Sequence, residues 1–216
     1  MLKLNKTYNM DCMEGMKEFP NNYFELAIVD PPYGNNISNI KSLDYTGRTL
    51  PKYNMKNWDQ QIPDEKYFKE LQRVSKVQII CGINYFAEHI HKKYTPIFWD
   101  KLNGDSMFGD GELLGIIGYR KTRIFRHAYI GKYHFDNYPR IHPTQKPVAL
   151  YGWLLNKYAK KGDKIIDTHL GSGSIIIACI KLGFEYIGFE IDTEYYEAMI
   201  KRLEVFMKQL DLFRSC

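Results

Sequence analysis

The chain has 216 residues, 44% of them hydrophobic and 25% charged, which suits one sizeable α/β domain with a buried core, or at most two small ones, and excludes a low-complexity or fibrous chain. Lys and Arg number 30 against 25 Asp and Glu, and the resulting +5 is compatible with a polyanionic partner without demanding one. No apolar run is long enough to span a membrane, and the opening MLKLNKTYNMDCMEG meets acids too early for a secretory leader.

Taken along the chain, the first clear element is Leu26 to Val29, a short buried strand. It must stop at Asp30, because Pro31 and Pro32 cannot donate to a sheet ladder. By itself this reads equally well as a strand followed by a turn that Asp30 starts. Residues 34–63 are polar and without periodicity, which marks a candidate flexible flap. Asp64 caps a helix to about Ser75, with Tyr67, Phe68, Leu71 and Val74 as its apolar stripe. Val77 to Cys81 reads as a strand, Asn84 to Lys92 as a helix, and Thr95 to Trp99 as a strand.

Residues 101–140 change character, becoming rich in aromatic and basic residues, and read as a small insert with strand-like pieces at Leu113 to Tyr119 and Arg123 to Tyr129. Alternation returns with a helix from Val148 to Tyr158, Pro147 suiting its first turn. A strand at Lys164 to Asp167, a helix at Gly173 to Leu182, a strand at Tyr186 to Phe189 and a helix from Thr193 to about Leu210 complete the pattern. Strand-helix alternation at this spacing predicts a single α/β domain over residues 1–216, with a Rossmann-like, doubly wound and mostly parallel sheet. Cys12, Cys81, Cys179 and Cys216 form no C-x-x-C pair and point to free thiols in a reducing, cytoplasmic setting. His89 and His91 would face different sides of a helix, so no metal site is expected.

The stretch KIIDTHLGSGS, from Lys164, is a strand followed by a tight glycine turn. Gly171 and Gly173 let backbone approach a ligand closely, but no lysine follows them as a phosphate cradle requires. Asp167 ends that strand and Glu190 ends the next. An acid at Asp167 repels a pyrophosphate and suits a cationic amine, while one at Glu190 suits ribose hydroxyls. S-adenosylmethionine fits that combination better than NAD. The glycines alone read as an ordinary strand-helix turn.

Three stretches together resemble one family. DPPY at Asp30 to Tyr33, HPTQKP at His142 to Pro147, and DTHLGSGS followed by FEID are similar to the β-group DNA amino-methyltransferases, in which the DPPY half precedes the cofactor half. The resemblance implies the S-adenosylmethionine-dependent methyltransferase fold and methyl transfer from that cofactor to an exocyclic amine of a flipped base in double-stranded DNA, adenine N6 first. It implies that Asp30 and the Pro31 carbonyl accept the amine hydrogens, that Pro32 stiffens the turn, and that Tyr33 stacks on the base. It places Asp11 and Cys12 at the cofactor's adenine, and Thr144 and Lys146 at its methionine carboxylate. Asp167, Gly171, Ser172 and Gly173 fall at the methionine end, and Glu190 at the ribose. The family usually carries phenylalanine where this chain has His169, which can pack as a flat ring and is not read as a base.

An amine lone pair delocalised into a ring is a poor nucleophile, and two fixed acceptors draw it toward tetrahedral geometry. Such an atom is out of reach inside a duplex, hence the flipping. Arg120, Lys121, Arg123, Arg126 and Lys132, interleaved with aromatics, are candidate phosphate contacts, against the reading of a solvated basic hairpin. Other readings are N4-cytosine methylation, RNA adenine methylation, and a non-catalytic cofactor- or DNA-binding subunit. A homodimer and a separate restriction nuclease stay open as partners, as does a bacterial or phage source.

Overall fold

The computed structural model describes residues 1–35, 59–104, 109–130, 133–134 and 140–214. In chain order its elements are β1 (Lys6–Asn9), α1 (Cys12–Lys17), β2 (Phe24–Val29), α2 (Glu65–Val74), β3 (Ser75–Cys81), a 3-10 turn (Ile83–Phe86), β4 (Tyr94–Asp100), β5 (Gly111–Ile117) and β6 (Arg123–Arg126). There follow β7 (Tyr129–Ile130), β8 (Tyr133–His134), α3 (Val148–Tyr158), β9 (Lys164–Asp167), α4 (Ser174–Leu182), β10 (Glu185–Glu190) and α5 (Thr193–Arg214).

Among the described residues, eight strands form one sheet in the order β1-β10-β9-β2-β3-β5-β4-β6, and β7 pairs with β8 separately. Every neighbouring pair in the large sheet is parallel except the two that β5 makes, with β3 and with β4. This is the doubly wound, mostly parallel sheet that the sequence predicts. The central strand β2, FELAIV, reads as a nearly unbroken apolar run because both its faces are covered. Ile28, Ile79, Ile97 and Ile165 pack with α3, α4 and α5 on one face. Val29, Ile80, Ile166 and Ile187 pack with Met16 of α1, Phe68 of α2 and Phe86 on the other.

The crossover from β2 through α2 to β3 covers one face, and that from β9 through α4 to β10 covers the other. β2 and β9 are neighbours, so the chain order reverses between them and a crevice opens at their carboxyl ends. Asp30, Asp167, Gly82 and Asp11 follow parallel strands and therefore share this rim. β5 adds a residue from the opposite direction. Because it runs antiparallel, with Gly111 opposite Asp100 and Glu112 opposite Trp99, its first residues lie at the carboxyl rim of its neighbours.

The helix expected over Asn84 to Lys92 is instead the 3-10 turn. Gly82, at φ 64°, redirects the chain, and no side chain caps the turn that follows. Ile83 and Phe86, three apart, are both buried, a spacing that a three-residue turn satisfies. The expected insert at 101–140 contributes β5 and β6 to the main sheet, and its β7–β8 pair stays outside it. Most of the expected flap at 34–63, residues 36–58, lies outside the described residues. No described helix is long and apolar enough to cross a membrane.

Asp64 caps α2 as the sequence predicts, its Oδ1 accepting from the Tyr67 amide at 3.1 Å. Tyr67, Phe68, Leu71 and Val74 are the buried stripe. Asp64→Ala will lower stability to urea by about 1 kcal/mol, the usual worth of such a cap. An unchanged unfolding midpoint would mean that packing alone holds the helix.

Candidate active site

The turn after β2 fixes Asp30 and Tyr33 against one another. Tyr33 Oη donates to Asp30 Oδ1 at 2.6 Å. Burial, and then the charge of Asp30, hold the phenol well above its ordinary pKa, so it stays a donor. The amides of Tyr33 and Gly34 both donate to Oδ1 of buried Asp59, at 2.9 and 3.0 Å. The Tyr33 ring stacks on Tyr85 at 4.8 Å with 12° between planes, and meets Phe86 edge-on at 5.9 Å. Gly82 is required behind it, since a Cβ there would sit 2.4 Å from the ring.

The HPTQKP loop brings a cation to this pair. Lys146 Nζ donates to Asp30 Oδ2 at 2.6 Å and to Tyr33 Oη at 3.0 Å, and lies 3.3 Å from Glu112 Oε2. Its side chain is only 4% exposed. Burial works to lower its pKa, but Asp30 and then Glu112 outweigh burial and push it well above the ordinary value. Burial would raise the Glu112 pKa, yet Lys146 and Lys101 hold it below the usual carboxylate range. Lys146, expected at the cofactor's methionine carboxylate, is thus placed against the DPPY acid. Thr144 turns inward on its own loop, its Oγ1 3.1 Å from His142 Nδ1. The His142 ring lies 4.3 Å from that of Tyr195 on α5 and faces Gly171, which ties HPTQKP to the glycine turn.

The acids of the glycine half line the next part of the rim. A cavity of about 280 Å³ is bounded by residues that include Asp11, Cys12, Pro32, Tyr67, His169 and Glu190. Glu190 Oε2 accepts from the Gly171 amide at 2.7 Å and Oε1 from the Asp192 amide at 2.9 Å. Asp11 caps α1 by accepting from the Met13 amide at 2.6 Å. Burial, with Asp11 adding to it, pushes the Cys12 thiol up to about 12, so it is an apolar wall rather than a nucleophile. Gly173 has φ 70°, and a Cβ there would lie 2.5 Å from Met199 Cγ. Beneath the turn, Arg202 Nη1 donates to the Ser172 carbonyl at 2.7 Å and to Ser174 Oγ at 3.0 Å. Asp167 Oδ1 accepts from the His169 amide at 3.0 Å. Among the described residues no cluster of His, Cys, Asp or Glu could hold a metal ion.

The expected site residues at Asp30, Asp11, Cys12, Asp167 and Glu190 therefore meet on one rim. The expected phosphate contacts do not all join them. Arg123 pairs with Ile97 and Arg126 with Asp100, so β6 climbs toward the rim and only Arg126 arrives there. Arg120 and Lys121 are exposed in the connection between Ile117 and Arg123, at the opposite end of the strands, and Lys132 lies outside the described residues. Arg126 Nε contacts Asp100 Oδ2 at 3.3 Å. Glu112, Lys101, Asp59, Tyr85 and Arg202 carry no motif. A lone acid opening the run GELLGII was the one signal for Glu112.

His169 is a neutral ring in this wall. Its Nδ1 is 2.9 Å from Thr168 Oγ1, which is 2.6 Å from Tyr67 Oη, and Tyr67 meets the imidazole edge-on at 5.3 Å. Burial lowers its pKa from 6.5 to about 4. Between those values the unfolded chain takes up a proton that the folded chain refuses, so this contribution is full above about pH 6.5 and is lost as the pH falls toward 4. The stability of wild type relative to His169→Phe will fall by up to about 3 kcal/mol over that window. Parallel urea titrations at several pH values test this, and a pH-independent difference would refute it.

Comparison with known proteins agrees with this architecture. A family model described as DNA methylase matches residues 86–202, more than half of the chain. "Putative methylase YubD" of Escherichia coli is 26% identical over 89% of this chain and 87% of its own length. The DNA adenine methyltransferase YhdJ of Escherichia coli is 31% identical, over 53% of this chain and 41% of its own. The M1.HpyAVI–SAM complex matches the fold with a TM-score of 0.58 at 18% identity, over 92% of this chain and 98% of that one. The PvuII cytosine-N4-specific DNA methyltransferase matches at 0.58 and 12% identity, over 94% of this chain and 87% of that one. With the DPPY acid, the glycine turn and the acid one strand beyond it on a single rim, the chain belongs to the N6/N4 DNA methylase family.

Proposed function

We propose that the protein transfers a methyl group from S-adenosylmethionine to the exocyclic amine of a base in double-stranded DNA, adenine N6 in the first place. The observation that carries this reading is Asp30 at the end of β2, on the same rim as a cavity walled by Asp11 and Glu190. The residues present fit the cofactor. The cavity joins apolar walls to two carboxylates, the glycine turn admits backbone contact, and Asp167 stands ready for a cationic tail. The cofactor, when bound, would supply an electrophilic methyl group and leave as a neutral thioether, and the methylated amine would release one proton to solvent.

The chain's own part is to hold the amine. Asp30 and the Pro31 carbonyl accept its hydrogens and stabilise positive charge as it builds on the nitrogen. Tyr33 steadies Asp30 through its hydroxyl, its ring stacked on Tyr85, and Pro32 keeps both acceptors in register. The target base must leave the duplex to reach them. Intact DPPY and the cavity favour an enzyme over a binding subunit. YhdJ is named an adenine enzyme and PvuII a cytosine-N4 enzyme, so the target base is the finer part of this proposal.

Tritiated S-adenosylmethionine incubated with mixed genomic DNA, followed by digestion to nucleosides, tests it. Label is expected in N6-methyladenine, reduced at least about 100-fold in Asp30→Ala. Label in N4-methylcytosine would keep the mechanism and change the base. Label only on matched RNA, or none at all, would overturn the proposal. For the DNA surface, Arg126→Ala will weaken binding and reduce the slope of log affinity against log salt by about one unit. Arg120→Ala, at the opposite end of the strands, will change neither. Equal losses in both variants would place DNA along the whole β6 edge.

A further inference from the structure

We infer that Glu112 is a positioning residue for the transfer, the carboxylate that takes the Lys146 ammonium from Asp30 when the target amine arrives. The inference rests on the proposed function. Both oxygens of Asp30 already have donors within the chain, Tyr33 Oη on Oδ1 and Lys146 Nζ on Oδ2, each at 2.6 Å. Each oxygen has a second lone pair, but an incoming amine would share Asp30 with an ammonium that draws on the same negative charge. Tyr33 is held by the stiff turn, by the Tyr85 stack and by the closeness of Gly82. Lys146, on a flexible four-carbon stem, is the donor that can yield.

The arrangement also conflicts with the chemistry unless Lys146 moves. An amine that accepts a methyl group gains positive charge, and an ammonium hydrogen-bonded to its acceptor opposes that charge and consumes the carboxylate meant to stabilise it. Lys146 cannot retreat into water, because its side chain is only 4% exposed. A buried ammonium stripped of a partner is strongly disfavoured, so it needs a second anion within reach. Glu112 is that anion. Its Oε2 is buried and stands 3.3 Å from Lys146 Nζ, at ion-pair distance but without a formed hydrogen bond.

Glu112 is built to stay in place. Its other oxygen takes a 2.5 Å hydrogen bond from Lys101, whose ammonium lies 5.0 Å over the Trp99 ring. Trp99 is the residue paired opposite Glu112 across the β4–β5 ladder. The reversed direction of β5 delivers this carboxylate to the rim where the parallel strands end. Two acids and two bases then form the row Asp30, Lys146, Glu112, Lys101. A short move of Lys146 along that row frees Asp30 without leaving any charge unpaired.

Steady-state methyl transfer by Glu112→Gln, and by Glu112→Gln with Lys146→Met, tests the inference. Glu112→Gln, which leaves Lys146 no second carboxylate, should lower kcat on the order of tenfold with KM for the cofactor unchanged. Adding Lys146→Met removes the obstructing cation and should restore kcat several-fold. A residue that merely supports the fold would not be rescued by a second truncation beside it. Should Glu112→Gln fail to fold, Glu112→Asp keeps the charge for Lys101, shortens the reach to Lys146 and carries the same expectation. A kcat equal to wild type in the single variant, or a double variant no faster than the single, overturns the inference. So does a thermal double-mutant cycle, read without substrate, that finds Glu112 and Lys146 uncoupled. Wild type that methylates no nucleic acid overturns the proposed function itself, and that result precedes any variant.

Discussion

A buried ammonium between two carboxylates holds the DPPY turn, the HPTQKP loop and the antiparallel strand together. Lys146 lies 116 residues from Asp30 in sequence and donates to it at 2.6 Å. Removing either acid would leave a cation with less than full compensation in a place water barely reaches, and such uncompensated charges are strongly destabilising. The row therefore constrains the fold as well as the chemistry. It fixes where the loop before α3 must sit relative to β2, and it requires β5 to enter the sheet with its amino end at the carboxyl rim of β4.

Parallel strands gather their carboxyl ends on one side, and with them the residues that follow. Asp11 after β1, Asp30 after β2, Gly82 after β3 and the acids at the ends of β9 and β10 need no long loops to meet. The carboxyl side of the crevice between β9 and β2 is where sheets of this kind hold ligands. Local devices then set the details. Asp59 collects two amides at the exit of DPPY, Arg202 supports the glycine turn from α5, and Glu190 is oriented by two backbone amides.

Elements buried on both faces were legible in the sequence because covering both faces leaves only apolar residues to write the strand. Leu26 to Val29, Val77 to Cys81 and Lys164 to Asp167 announce themselves in that way. β1 does not. Lys6 to Asn9 lies at the sheet edge, carries no apolar alternation, and becomes a strand through its register with β10, Lys6 opposite Ile187. Motifs fixed by covalent stiffness or by missing side chains, DPPY and GSGS, were legible too. Glu112 and the contact of Lys146 with Asp30 were not, since both depend on how distant segments are brought together, which periodicity does not encode. The basic stretch from Arg120 was legible only in part for the same reason. Its charge was plain, but the descent of β5 and the return of β6 decide which arginine reaches the rim.

The two strand-end acids meet burial in different ways, and the difference matches the parts proposed for them. Asp30 is met by a cation, Lys146, and is 15% exposed along its side chain. Asp167 is 2% exposed, and among the described residues no salt bridge to it is formed. Burial raises its carboxyl to about 8; the His169 amide works against that rise, and the charges of Asp30 and Glu190 add to it. It therefore carries a proton near neutral pH, which spares the rim a further negative charge. A cationic group arriving beside it would reverse the balance and expel that proton. One acid is thus provided with a partner that can step aside, and the other waits protonated for a partner that comes from outside. The acids of this rim, Asp11, Asp30, Glu112, Asp167 and Glu190, can stay close together on these terms.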